Sequence, residues 1–270
     1  MSLLKRAKPA QTGALIVTIC GTPGSGKTSL AATFPRPFLI RTQGEAVPRD
    51  VPAADRPAEL GLTDSVDKLW QQFEALRTED HDYKTVIVDS VSGLETLFVD
   101  HVVDADPKAR SIQQAGGGYG AGRDMVTGMH TRVRKEAEAL MRRGINVIFI
   151  AHSDIARIEP PDSEGYTQWS LRLHNKSMAA YVDSVDVVGF LRQSTALIGD
   201  NPDKKRAITD DTRVLVVHLT PACVSKNRLG ITEEIEVQKG VNPLAAYLGA
   251  APRKAKAPAV SEEVNEGEAA

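Results

Sequence analysis

At 270 residues with 41% hydrophobic side chains, the chain can bury one sizeable α/β core and carry a tail. Its 33 Lys and Arg against 35 Asp and Glu give a formal net charge of −2, which argues against a protein that coats duplex DNA by charge alone. The 2 cysteines form no C-x-x-C pair, which argues against a zinc knuckle or redox dithiol, and no apolar run approaches the length of a membrane span.

Residues 1–12 lack the apolar core of a signal peptide and read as an N-terminal extension, so the expected location is cytoplasmic, with no membrane contact. The main domain then runs over 13–249. Its first element is the apolar run ALIVTIC (14–20), followed by PFLIR (37–41), TVIVD (85–89) and NVIFIA (146–151). Nearly continuous apolar runs are expected of parallel strands covered on both faces. VDVVGFL (185–191) and RVLVVHL (213–219) alternate more and predict antiparallel strands at one edge.

Between these runs lie helical stripes. Val66, Leu69, Trp70, Phe73 and Leu76 keep the i, i+3, i+4, i+7 spacing, with Thr63 or Asp64 as N-cap. Met125, Met129, Val133, Leu140 and Met141 predict a longer helix ending near Arg143. Alternating strands and helices predict a mostly parallel central sheet in a three-layer α/β sandwich. Residues 250–270 are Ala, Pro and charge, a composition too polar to order itself, and read as a disordered tail.

The chemistry is concentrated after the first strand. GTPGSGKTS (21–29) fits the phosphate-cradling pattern G-x-x-x-x-G-K-[ST]. Gly21, Gly24 and Gly26 let the backbone aim its N–H groups inward, with Thr22, Pro23, Ser25 and Ser29 completing the loop. Lys27 would reach the β and γ phosphates, the Thr28 hydroxyl would bind Mg²⁺, and a following helix would add its positive end. A chance glycine-rich turn would have to explain a strand directly before and a helix former directly after.

A partner for Thr28 on the metal is expected at the C-terminal end of a neighbouring strand, where TVIVDS offers Asp89. Asp89 would serve equally as a cap for the helix that follows. The nearest string to a guanine reader, Asn175-Lys176-Ser177-Met178, lacks the required Asp, and no Arg-rich kinase lid is evident. ATP is therefore the expected nucleotide, with Mg as its metal.

Two segments have the composition of a nucleic-acid contact. SIQQAGGGYGAGRD (111–124) sets Tyr119 among glycines with Arg123 beside them, though a plain linker would look the same. DIARIEPPDSEGYTQWSLRLHNKS (153–176) reads as a hairpin around Pro160, Pro161 and Gly165. Tyr166 or Trp169 would be its stacking platform and Arg157, Arg172 and Lys176 its phosphate contacts. The competing reading packs Trp169, Leu171 and Leu173 onto the core. Arg132, Arg134, Lys135, Arg142 and Arg143 form a basic helix face, solvated by default.

These strings together resemble a family. VIVDSVSGL looks like the Asp-Ser strand end of RecA-type ATPases, IAHSD resembles their polar sensor, and SKNRLG (225–230) is close to the K-N-R-F-G motif of RadA-type proteins, with Leu229 in place of Phe. The layout over residues 10–245 resembles the phage RecA-like AAA-domain nucleotide-binding proteins, a group that includes single-strand annealing recombinases. The resemblance implies a RecA-like sheet in which NVIFIA lies between the loop strand and the Asp89 strand. It implies His152 beside the γ-phosphate, and a homo-oligomer in which Lys226 and Arg228 reach a neighbour's phosphate. Without it, those two cations simply solvate a hairpin tip.

Such ATPases carry a water-polarising Glu just beyond the second strand. Here the string is RTQGEA, so Gln43 fills the expected slot and Glu45 lies two residues on, and hydrolysis is expected to be slow if Gln43 does the work. The implied activity is ATP hydrolysis in recombination or annealing on single-stranded DNA, with a single-strand binding protein as a candidate partner. A helicase or helicase-loading ATPase, and a nucleotide switch for a protein partner, are the alternatives.

Overall fold

The computed structural model describes residues 13–47, 49–198 and 206–248, with the backbone alone for 195–198 and 206–211. The expected disordered tail and N-terminal extension lie outside the described residues. In chain order the elements are β1 (Ile16–Gly21), α1 (Lys27–Ala31), β2 (Pro37–Thr42), β3 (Ala58–Thr63), α2 (Val66–Thr78), β4 (Thr85–Asp89), α3 (Val91–Asp104), α4 (Ala121–Arg142), β5 (Asn146–Ile158), β6 (Tyr166–Leu171), α5 (Asn175–Val182), β7 (Val187–Ile198), β8 (Arg206–Val216), β9 (Lys226–Asn227) and β10 (Ile235–Val237). None of the described helices is long and apolar enough to cross a membrane.

The strands form a mixed sheet in the order β10-β8-β7-β1-β5-β4-β2-β3, with β6 on β5 and β9 on β7. β5 therefore separates β1 from β4, and all of β1, β2, β3, β4 and β5 run parallel to their neighbours on this path. Residue parity explains the continuous apolar runs. Ile16 and Cys20 of β1, Val86 and Val88 of β4, and Val147 and Phe149 of β5 face a core shared with α2, α3, α4 and α5. Val17, Ile19, Ile87, Ile148 and Ile150 face the opposite way, towards Leu30, Phe34 and Leu244. Both parities are apolar because both faces are covered.

The cover is unequal, so the sandwich is lopsided. Among the described residues one face carries four helices, whereas the other has α1, 5 residues long, with the segments around Phe34 and Leu244.

Several local expectations are corrected. β7 is not an edge strand: Val187–Leu191 pairs parallel with β1 and is buried, and β8, β9 and β10 supply the antiparallel pairing on that side. The N-cap of α2 is Ser65, whose hydroxyl accepts from Lys68 N–H, rather than Thr63 or Asp64. On α4 the buried seam is Gly122, Val126, His130, Val133, Ala137 and Leu140. Met125 is exposed, whereas Met129 and Met141 are partly buried and pack against the core from the flanks of this seam. His130 Nδ1 lies 2.6 Å from the Tyr181 hydroxyl and its Nε2 2.9 Å from Glu95 Oε2, which satisfies a fully buried imidazole.

Candidate nucleotide site

At the C-terminal end of β1 the chain turns sharply over Thr22–Ser25, closed by Ser25 N–H donating to the Thr22 carbonyl at 3.2 Å. Gly24 and Gly26 have φ of +77° and +93°, a left-handed backbone that side-chain-bearing residues resist. The Lys27 side chain, 6% exposed, curls back so that Nζ donates to the carbonyls of Gly21 at 3.0 Å and Thr22 at 2.9 Å. Burial pulls this ammonium below the usual lysine range. Ser25 Oγ is buried with no partner. Because α1 is so short, the loop's own N–H groups, rather than a long helix dipole, are what it offers an anion.

Asp89 ends β4, in register with Arg41 of β2 and Ile150 of β5. Its Oδ2 accepts from Thr28 Oγ1 at 2.6 Å, so the two expected metal ligands meet. Oδ1 is buried with no partner, and burial pushes the carboxyl up to about 6. Capping of α3 falls to Ser90, whose Oγ accepts from Gly93 N–H at 3.1 Å, which leaves Asp89 free of that duty. Thr42 Oγ1 holds this corner by accepting from Ser90 N–H at 2.9 Å. It sits so close to Gly93 that no Cβ would fit there.

Glu45 turns into the site and Gln43 does not. Glu45 Oε1 accepts from Ser90 Oγ at 2.7 Å and lies 2.7 Å from His152 Nε2. Burial alone would raise this carboxyl, but the bonds from His152 and Ser90 outweigh it and leave Glu45 below the usual glutamate range. Gln43 sits in the turn between Thr42 and Glu45 with its side chain exposed. His152 stands opposite Gly21 in the β1–β5 register. Its N–H donates to Ser92 Oγ at 3.0 Å, its carbonyl accepts from Arg172 N–H at 2.8 Å, and Nδ1 is buried without a partner. Cys20, pushed up to about 12 by burial, stays a protonated small hydrophobe beneath the loop.

The described residues contain no cluster of three or more His, Cys, Asp or Glu able to hold a metal. Thr28 and Asp89 make a two-ligand oxygen set, which suits a cation that keeps waters and phosphates in its shell. The orphaned Asp89 Oδ1 fits that use.

Lys226 and Arg228 are not brought to this site. Lys226 pairs with Val188 and donates to the Asp183 carbonyl at 2.7 Å, and Arg228 lies 3.5 Å from Asp186 Oδ1. Both sit at the N-terminal end of β7, beside Val187 and Val188, whereas the loop begins at Gly21 beside Leu191, further along the strand. They are therefore remote from their own chain's site, and Arg228 is exposed.

The hairpin forms as β5 and β6, with Ser153–Ile158 pairing antiparallel to Tyr166–Leu171. Leu171 is buried, and Trp169 is 37% exposed, stacked on Phe190 at 5.7 Å between ring centres. Arg157 pairs with Glu159 at 2.8 Å, Lys176 with Asp124 at 2.6 Å and Arg123 with Glu95 at 3.0 Å. Arg172, Tyr166 and Tyr119 are exposed. The basic face of α4 is largely used within the chain: Arg132 stacks over Trp70 at 4.0 Å, Arg134 pairs with Glu138, and Arg143 bonds carbonyls of α2.

Of the supporting hydroxyls Thr42, Ser90 and Ser92, the sequence offers a signal only for Ser90, as the Ser directly after the strand-end Asp89. No curated protein matches the chain. A family model described as AAA domain matches residues 14–229, a span that holds the phosphate loop, Asp89 and His152, and the chain belongs to this family of nucleotide-binding ATPases.

Proposed function

We propose that this protein hydrolyses ATP with Mg²⁺ in the loop at Gly21–Ser29 and couples the cycle to single-stranded DNA in recombination or annealing. The observation that carries the reading is the continuity of β5, which runs from the core through His152 into the outer hairpin arm as one strand. Whatever His152 senses is thereby linked covalently to Arg157 and, through β6, to Tyr166, Trp169 and Arg172.

Lys27 would leave the loop carbonyls for phosphate oxygens, and Thr28 with Asp89 would hold the metal, which supplies charge neutralisation on the polyphosphate. Glu45, ionised at neutral pH, would accept a proton from the attacking water, with Ser90 and His152 fixing its orientation. A bond from His152 to Glu45 makes water activation and γ-phosphate sensing parts of one unit. Lys226 and Arg228 are too far down the sheet to act in their own chain. A second copy stacked head to tail would present them to this site as trans cations.

One observation favours a second reading, a nucleotide switch for a protein partner: Arg123, Arg157 and Lys176 are already paired with carboxylates. Phosphate release measured with and without single-stranded DNA, for wild type and Lys27→Ala, decides between them. Stimulation by DNA that disappears in the variant supports the DNA-coupled reading. Turnover indifferent to DNA, in a protein that does not retain a labelled oligonucleotide, overturns it in favour of the switch.

A further inference from the structure

The phosphate loop has a neighbour that the site described above does not use. Arg213 lies on β8, between Gln193 of β7 and Val237 of β10, and is half-buried. Its guanidinium presses on the loop: a Cβ at Gly26 would collide with Nη1 and lie 3.1 Å from Cζ. Among the described residues this guanidinium has no carboxylate or carbonyl partner. A half-buried cation without a counter-charge is costly, and its planar fork of donors suits a phosphate.

The surroundings have the same character. A cavity of about 260 Å³ lies between α1 and β8–β10, lined by Gly26, Ser29, Arg213, Gln238 and Lys239 with one carboxylate, Asp50. That carboxylate is already bonded by Ser29 Oγ at 3.1 Å. The cavity shares Ser29, Thr33, Asp50, Lys239 and Gly240 with a larger one of about 1150 Å³.

We infer that Arg213 is a nucleotide-binding residue acting within its own chain, its guanidinium taking the α/β-phosphate end of the nucleotide at Gly26. The end is fixed by the loop's direction. Loop N–H groups hold the α and β phosphates while Lys27 reaches towards the γ, and Arg213 lies with Gly26 and Ser29 on the β8 side of β1, whereas His152, bonded to Glu45, lies on the β5 side. The inference rests on the ATPase reading.

Calorimetric titration of ADP and of ATP, both with Mg²⁺, into wild type, Arg213→Ala and Arg213→Lys tests it. Loss of one charge-assisted contact is expected to weaken ADP and ATP alike by about ten- to a hundredfold, with partial recovery in Arg213→Lys. In turnover the alanine variant should raise KM and leave kcat unchanged. Arg213→Ala that binds both nucleotides as wild type does overturns the inference alone. A loss confined to ATP overturns it too, because the guanidinium would then face the terminal phosphate. Wild type that binds neither nucleotide overturns the ATPase reading along with it. Should the alanine variant fold poorly, Arg213→Gln keeps the volume and gives the same readout.

Discussion

The phosphate loop with its surround, and the hairpin of β5 and β6, treat polar groups in opposite ways. Around the loop, buried polar atoms are left waiting: Asp89 Oδ1, Ser25 Oγ and His152 Nδ1 have no partner. On the hairpin and the start of α5 just beyond it, exposed cations are already matched, Arg157 to Glu159 and Lys176 to Asp124. A buried group without a partner costs stability that only a ligand repays, whereas an exposed ion pair is worth little and dissolves readily in favour of another anion. The first region is therefore built around its ligand in advance, and the second only has cations it can lend. Mutations should separate the two accordingly.

The largest effect should come from Glu45→Gln. Removing the proton acceptor is expected to lower turnover by about 10²–10⁴-fold while ADP affinity changes little, whereas Gln43→Ala should stay within about twofold. Steady-state phosphate release with a parallel binding titration reads both. Equal losses in the two variants would break the distinction between a side chain turned into the site and one turned into solvent.

Next comes Asp89, where activity and stability should move in opposite directions. Its carboxyl titrates near 6 in the fold, above an ordinary value of 3.8, so the folded chain binds the proton more tightly than the unfolded chain does. The sign follows: without ligand, this group opposes folding by about 3 kcal/mol at pH 7.5, and the penalty fades as pH falls from above 6 towards 4. Asp89→Asn should therefore raise the melting temperature of the nucleotide-free protein at pH 7.5 while abolishing Mg²⁺-dependent turnover. A melting temperature that instead falls would mean that Asp89 is a structural anchor.

Gly93→Ala tests the corner that holds Ser90. With Thr42 Oγ1 pressed against Gly93, the added methyl should cost about 1–3 kcal/mol in denaturant unfolding. The smallest stability effect belongs to the loop that precedes α4. Tyr119→Ala should shift stability by less than about 0.5 kcal/mol, since the ring is fully exposed. If the ring stacks on a base, the same change should weaken single-stranded DNA binding by about 1–3 kcal/mol, measured by fluorescence anisotropy. Trp169→Ala should destabilise the fold visibly, because Phe190 loses its stacked partner.

How far each region could be read from sequence differs for the same physical reasons. The loop and Asp89 were legible because a phosphate cradle needs fixed residue types at fixed spacing, each at the end of an apolar run, whereas His152 entered only through the family resemblance of IAHSD. The choice between Gln43 and Glu45 was not, since it depends on how a tight turn directs two nearby side chains. β3 escaped notice because AELGLT, at the outer edge of the sheet, is only partly covered and lacks an apolar run. β7 was misread because Asp186 and Gly189 interrupt its apolar run. Gly189 is there for packing, as a Cβ would stand 2.7 Å from Leu215 Cδ1. Arg213 passed as the polar start of an apolar strand, and only the fold brings it against Gly26.

The unbroken course of β5 limits how the two regions can communicate. A strand held between β1 and β4 cannot slide by one residue without turning every side chain to the wrong face. Motion at His152 must then leave as a tilt or twist of the free outer half. Ile158 lies six residues on, about 20 Å of extended chain, so the hairpin works as a lever arm hinged at the edge of the core. A small tilt at the edge of the core is magnified at the far end of such an arm.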